Sequence, residues 1–380
     1  MMSANYTPVA HANLVVVFGA ELGFSKVGKG LFLGLQFGGA ALGCLLAGPC
    51  ADRWGFRLPL VLGVTAQVSG TLLLSCASTA FVAFASAMLA GCGLGLLGTV
   101  IAPLVVDLYP ESPVRVLNLI NPFSSIGALL ALGLLTLLVA HQWPWRNVYR
   151  LLATLTAPYG AAYLLLPLPS KKATVSGPPL EFHRLVSRGP ILMLLAAIFC
   201  SSLTVTGISM WLPTYAQEAA GSSRVGGVLG SLLLSSAFIL GGFANFMLIG
   251  RVRLKRLALG DGILPTLVLL LQALPFPGRV LVVLLALSGL GLAGIGPAIQ
   301  AQIREHFPEA GASAYSLLGL GSSAAAVLGP LAMGVIAQRM GVRAAVACLA
   351  LGPCVAVLLL AHFMGQQEHS RRSGSDTHRV

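Results

Sequence analysis

Charge is what this sequence has least of. Asp, Glu, Lys and Arg make up 9% of its 380 residues, and 56% are hydrophobic. Soluble domains carry about 25% charged residues. No water-soluble fold of this length could hide so much apolar surface, so that class is excluded. Cysteine is also sparse. Cys44, Cys50, Cys76, Cys92, Cys200, Cys348 and Cys354 lie in or beside apolar runs, with no CxxC or metal-ligand spacing. They read as small packing residues. No His, Cys, Asp or Glu cluster has catalytic or zinc spacing, and no Gly-rich phosphate loop is present. The chain is therefore not read as an enzyme, and no cofactor or metal is expected. Aromatics are 7%, and none interleave with the basic residues, so the net charge of +12 does not point to nucleic acid.

What the chain does have is continuous apolar runs of about 20 residues. That length crosses the roughly 30 Å hydrocarbon core as a helix. Only helices and closed barrels satisfy their backbone there, and a barrel would show short alternating segments instead. The expectation is an all-α polytopic membrane protein whose partner is the lipid bilayer. Full spans are expected at about 28–47, 58–76, 80–106, 114–140, 147–168, 190–216, 225–249, 257–275, 280–302, 311–337 and 342–364. Residues 1–24 stand apart. Leu14–Ala20 is too short to span, with no basic leader and no small-residue cleavage site, so it reads as the outer half of a first helix whose beginning is missing. The organisation expected is an N-terminal bundle at 1–168, a cytoplasmic linker at 169–189, a C-terminal bundle at 190–364 and a polar, disordered cytoplasmic tail at 365–380.

The most distinctive stretch is Gly48-Pro49-Cys50-Ala51-Asp52-Arg53-Trp54-Gly55-Phe56-Arg57, read as a charged turn between the second and third spans. With this turn and the linker placed inside, fifteen of the 23 Lys and Arg are cytoplasmic and eight are external. That bias obeys the positive-inside rule. The pattern Gly48-x3-Asp52-Arg53-x-Gly55-x-Arg57 resembles the signature between helices 2 and 3 of the major facilitator superfamily. The corresponding turn after the eighth span, Gly250–Arg256, keeps the glycine and the basic charge but lacks Asp-Arg-x-Gly.

The resemblance implies two six-helix bundles with pseudo-twofold symmetry in a monomer of a bacterial inner membrane. It implies that Asp52 caps the cytoplasmic end of helix 11, near Gly311–Ser313. It also implies that Arg53 and Arg57 meet an acidic partner below helix 4, with Asp107 the candidate. Together these would form a gate latch. Two family features are missing. Ala85-Ser86-Ala87-Met88-Leu89 lacks the helix-4 Arg tied to proton coupling, and Ser125-Ile126-Gly127-Ala128 lacks the Pro of the antiporter motif. By contrast, Trp211-Leu212-Pro213-Thr214-Tyr215 and Gly294-Ile295-Gly296-Pro297 are similar to the fucose-permease and sugar-type bacterial branches.

No charged residue falls near the middle of an expected span, where one would be costly and functional. Asp107 and Asp261 fall toward cytoplasmic ends. The interior is neutral and polar, and the cavity candidates are Tyr6, His11, Gln36, Asn118, Asn121, Trp211, Tyr215, Asn245 and Gln300. Their amides, hydroxyls and aromatic faces suit a neutral, sugar-like solute, although each could equally be interhelical hydrogen-bond glue. Three readings stay open: transport of a small neutral solute with or without a coupled proton, efflux of a hydrophobic compound, and an inactive or regulatory membrane protein with a truncated first helix.

Overall fold

The structure is a computed structural model. It describes residues 6–108, 113–166, 168, 189–248, 251–252, 254–274, 276–306 and 311–376. Among these the chain is helical, with no strand. The N-terminal helices are α1 (Tyr6–Glu21), α2 (Lys26–Trp54), α3 (Arg57–Ser75), α4 (Ala80–Leu108), α5 (Pro113–Ala140) and α6 (Trp145–Leu165). They are followed by α7 (Gly189–Glu218), α8 (Arg224–Leu248), α9 (Leu254–Leu271), α10 (Gly278–His306), α11 (Gly311–Met340), α12 (Val342–Cys348) and α13 (Leu351–Asp376). Eight described segments are long and apolar enough to cross a membrane, within α2, α3, α4, α7, α8, α10, α11 and the last segment from Val342 to Gln366. The apolar stretch Gly127–Ala140 of α5 is shorter. In α9, Lys255, Arg256 and Asp261 interrupt the apolar run.

The chain divides into two compact units. Unit 1 comprises Met1–Gly177, Met210–Leu232 and Pro330–Arg339. Its centre is the packing of α4 between α2 and α3. A methyl group on Gly39 or Gly43 of α2 would lie closer than 3.0 Å to the carbonyls of Met88 or Cys92. The reverse holds for Gly91 and Gly95 of α4, which meet the carbonyls of Gln36 and Ala40. On the other side, a methyl on Gly93 would reach Gln67 N at 2.6 Å. Without side chains in the way, backbone rests on backbone, which is how helices in lipid gain close van der Waals contact. Below this crossing Ala47, Ala51, Phe56, Leu60, Val64, Leu96, Leu97, Val100 and Leu104 form a buried cluster.

Unit 2 comprises Pro178–Ser209, Leu233–Gly329 and Met340–Val380. Here α9 packs on α10 and α13. The Thr204 hydroxyl of α7 donates to Leu349 O at 3.0 Å, and Ser202 and Ser322 pair at 2.9 Å.

Three expectations change. The signature stretch is mostly helix: α2 continues to Trp54, and the turn is only Gly55-Phe56. Gly55 sits at φ 76°, a left-handed value that suits glycine, and its N–H closes the helix on Ala51 O at 2.8 Å. The single span expected at 342–364 is two helices. Pro353 has no N–H for the Leu349 carbonyl, so the helix breaks there, and that carbonyl accepts from Gly352 N and Thr204 instead. The tail expected to be disordered from Gln366 continues α13 to Asp376. Its Gln, Glu and Arg residues are good helix formers. The linker at 169–188 lies outside the described residues.

Candidate functional site

In unit 1, α1 carries polar groups along the face turned to α2, α3 and α6. Thr7 Oγ1 lies 3.4 Å from Thr71 Oγ1 and accepts from Gln67 Nε2 at 3.4 Å. One turn on, His11 is fully buried, and its Nδ1 is 2.8 Å from Gln36 Oε1. An amide oxygen only accepts, so Nδ1 donates to it, and the neutral ring is the form that suits a site with no counter-charge beside it. That leaves Nε2 as an acceptor. It is buried and has no hydrogen-bond partner, and the Tyr149 hydroxyl is buried and unpaired in the same way. The two rings are 5.6 Å apart, and Phe32 lies 4.8 Å from His11. Phe18 and Trp145 complete an aromatic wall around Tyr149. Two unpartnered polar atoms thus belong to neighbouring rings in an aromatic box. Buried polar groups of this kind are rare because they cost about 1–3 kcal/mol each.

At the end of unit 1 where α2 begins and α7 ends, side chains close the structure. Lys29 is buried and forms an ion pair with Glu218. Ser231 donates to Asn13 Oδ1 at 3.1 Å, and Lys26 N donates to Gln338 Oε1 at 3.2 Å. Gly30 and Gly334 face each other so closely that a methyl on Gly334 would be 2.7 Å from Lys26 O. Trp211 is fully buried and donates its indole N–H to Pro330 O at 3.1 Å. Tyr215 is fully buried in the same region. Nearby, Glu21 accepts from Trp145 Nε1 at 2.6 Å and Arg146 at 2.5 Å. These two bonds hold its carboxyl below the ordinary carboxylate range.

Of the expected cavity residues, Tyr6, His11, Gln36, Trp211 and Tyr215 fall in unit 1. Asn245 falls in unit 2. The side chains of Asn118, Asn121 and Gln300 lie outside the described residues, as do those of Gly48's neighbour Pro49, Asp52 and Asp107. Arg53 lies 5.1 Å over its neighbour Trp54, and Arg57 donates to Leu166 O at 2.9 Å. Thr7, Thr71, Tyr149 and Ser231 did not stand out in the sequence. A single Thr or Ser in an apolar run carries no signal of its partner 60 or more positions away, and Tyr149, inside the expected sixth span, carries none of His11.

Lys29, which the charge count puts on the external side, is buried in the first turn of α2 and paired with Glu218. The charge-free interior is corrected in one place. Asp261 lies near the middle of α9, the eighth of its 18 residues, because that helix starts at Leu254 and ends at Leu271. It is half-buried and accepts from Asn245 Nδ2 at 3.0 Å. A cleft of about 410 Å³ runs beside this pair, lined by Val252, Arg256, Leu264 and Leu290 among others.

Comparison with known proteins gives the following. The family model described as Major Facilitator Superfamily matches residues 2–275 and 248–379. The chain is 26% identical over 315 residues to an uncharacterized MFS-type transporter, YfkL, of Bacillus subtilis (strain 168), covering 78% of this chain and 76% of that protein. Among solved structures, the nucleoside transporter NupG superposes with a TM-score of 0.76 at 15% identity, over 96% of each chain. The E. coli fucose:proton symporter FucP superposes with a TM-score of 0.61 at 17% identity, over 95% of this chain and 97% of that one.

Proposed function

Because this chain belongs to the major facilitator superfamily, and so is a multi-pass membrane transporter working by alternating access, we propose that its substrate is a small neutral, hydroxylated solute. One observation carries the reading: the buried His11 Nε2 and Tyr149 hydroxyl, on rings whose centroids are 5.6 Å apart, both lack a protein partner. A hydroxyl group both donates and accepts, so one solute hydroxyl can satisfy both. The surrounding Phe18, Phe32 and Trp145 rings supply apolar faces of the kind that stack on a sugar ring. The names of two neighbours in fold, a nucleoside transporter and a fucose:proton symporter, point to the same class of cargo. The chemistry of the lining also disfavours a charged solute: Gln36, Gln67, Thr7 and Thr71 are neutral, and Lys29 already has its counter-ion.

In this reading the basic turn at Arg53 and Arg57 faces the cytoplasm of a bacterial inner membrane. The Lys29–Glu218 pair then closes the outer end, and Asp52 serves as the cytoplasmic latch toward the start of α11. Purified protein in proteoliposomes, preloaded and assayed for counterflow of hexoses, pentoses, polyols and nucleosides, tests the proposal. Exchange of at least one of these, lost in His11→Phe and in Tyr149→Phe, is expected. Counterflow of a lipophilic cation only, with none of the neutral panel exchanged, would overturn it in favour of efflux.

A further inference from the structure

The proposed solute site leaves Asp261 unused. This carboxylate sits at the meeting of α8, α9 and α10, where four observations converge. Its Oδ2 accepts from Asn245 Nδ2. A methyl on Gly294 of α10 would collide with both Asp261 Oδ2 and Asn245 Nδ2, so the pair fills the space this glycine leaves. Pro265, four residues on, has no N–H, which deprives the Asp261 backbone carbonyl of its helical donor. That same carbonyl faces Gly291 of α10, where a methyl would be 2.6 Å from it.

The crossing is therefore rich in acceptors and short of donors. An ionised carboxylate accepts at both oxygens, and the backbone carbonyl of the same residue, which faces Gly291 of α10, has lost its helical N–H. Asn245 is the donor seen among the described residues. A proton on Asp261 would turn one acceptor into a donor and remove a costly charge from the helix middle. Few other charges face this point. Arg256 of α9 lines the cleft, and Lys255 approaches Gly365 of α13. His362 of α13 is bonded to Gln366. On α8 and α10, the described residues turned to Asp261 are Asn245 and the glycines.

We propose that Asp261 is a proton-binding site, loaded through the cleft beside Val252 and Arg256, whose neutral form lets α9 rest on the Gly291–Gly294 face of α10 without a charge at the crossing. The step is one proton transfer: a hydronium ion in the cleft becomes water and the carboxylate becomes a carboxylic acid. Deprotonation sets a charge beside the freed Asp261 carbonyl at this glycine-lined contact, which loosens the α9–α10 crossing. This would make the proton a coupled ion, a role that rests on the transporter reading; the protonation itself does not.

Infrared difference titration of the full-length protein in lipid nanodiscs tests it without any solute. Acidification should raise a carboxylic-acid carbonyl band that is lost in Asp261→Asn. In Asn245→Ala the band should persist but shift, because its hydrogen bond is gone. Replacing choline chloride with sodium chloride at constant pH should leave the wild-type band unchanged. Identical band sets in wild type and Asp261→Asn overturn the proposal, as does loss of the band on adding sodium, which would make this a sodium site. Should Asp261→Asn not fold, Asn245→Ala decides: an unshifted band overturns the assignment. Failure of every solute in counterflow would leave this result standing.

Discussion

Breaking the Lys29–Glu218 pair should open the end of unit 1 that it closes, and the two single substitutions should not be equal. Lys29 is 9% exposed at its side chain and Glu218 is 26% exposed. Exposed pairs contribute about 0.2–1 kcal/mol, whereas removing one partner of a buried pair costs about 3–5 kcal/mol because the other charge is stranded. A pair with one partner a quarter exposed falls between, at about 1.5–3 kcal/mol. At about 1.4 kcal/mol per factor of ten, the closed-to-open ratio falls roughly 10- to 150-fold. Glu218→Gln strands the more buried Lys29, so it should open the end further than Lys29→Met, which strands the wetter Glu218. The double variant strands neither and should return toward wild type. The readout is the rate at which a membrane-impermeant maleimide labels Thr214→Cys in a background without native cysteines. Thr214 is buried one turn before Glu218. Unchanged labelling in Glu218→Gln, or a double variant that labels as fast as the worse single, would refute the clasp.

Three other outcomes are expected. Gly91→Ala forces a methyl against the Gln36 carbonyl and should cost about 1–3 kcal/mol as overpacking, seen as a lower Tm in detergent; an unchanged Tm would mean that α2 and α4 can part freely. Glu21 has its carboxyl lowered by Trp145 and then Arg146, so its contribution to stability is present above the ordinary carboxylate value of 4.5 and fades as pH falls through the lower folded value. Glu21→Gln should flatten that acid limb of a Tm-against-pH curve, and a curve parallel to wild type rules the linkage out. Asp52→Asn should lower transport while leaving membrane insertion and expression intact, and normal counterflow in that variant would remove Asp52 from the latch.

The fold class was legible because the bilayer leaves few alternatives: apolar runs of helix length and a basic bias on one side admit little else. Glycines recur in the second and fourth spans, yet Gly38 meets nothing within 4 Å while Gly39 lies against Met88. Spacing alone cannot say which face a neighbour covers. Helix ends were less legible. The signature stretch looked like a turn because of Gly48 and Pro49, yet the helix absorbs both and stops at Gly55. That choice depends on one φ value rather than on composition. The same imprecision hid Asp261, since a boundary shift of three residues moved a carboxylate from a helix end to its middle. The pairing of Lys29 was illegible for another reason: its counter-ion is 189 positions away, and no local pattern in the sequence reports that.

The two ways in which helices meet in unit 1 also decide what can move. Where α2 meets α4, backbone carbonyls rest on Gly39, Gly43, Gly91 and Gly95, at four-residue spacing on both helices. The next equivalent fit lies about one helical turn away, roughly 5.4 Å along the axis. Smaller displacements only lose contact, so α2 and α4 should travel as one body. Where α2 meets the ends of α7, α8 and α11, the fastenings are side chains: Lys29 to Glu218, Asn13 to Ser231, Lys26 N–H to Gln338. Such contacts break singly, and each polar group can be taken over by water once that end is wet. The facing glycines Gly30 and Gly334 hold nothing by hydrogen bonds, and their contact gives up only dispersion when it parts. Opening is therefore expected at the side-chain seam rather than at the glycine crossing.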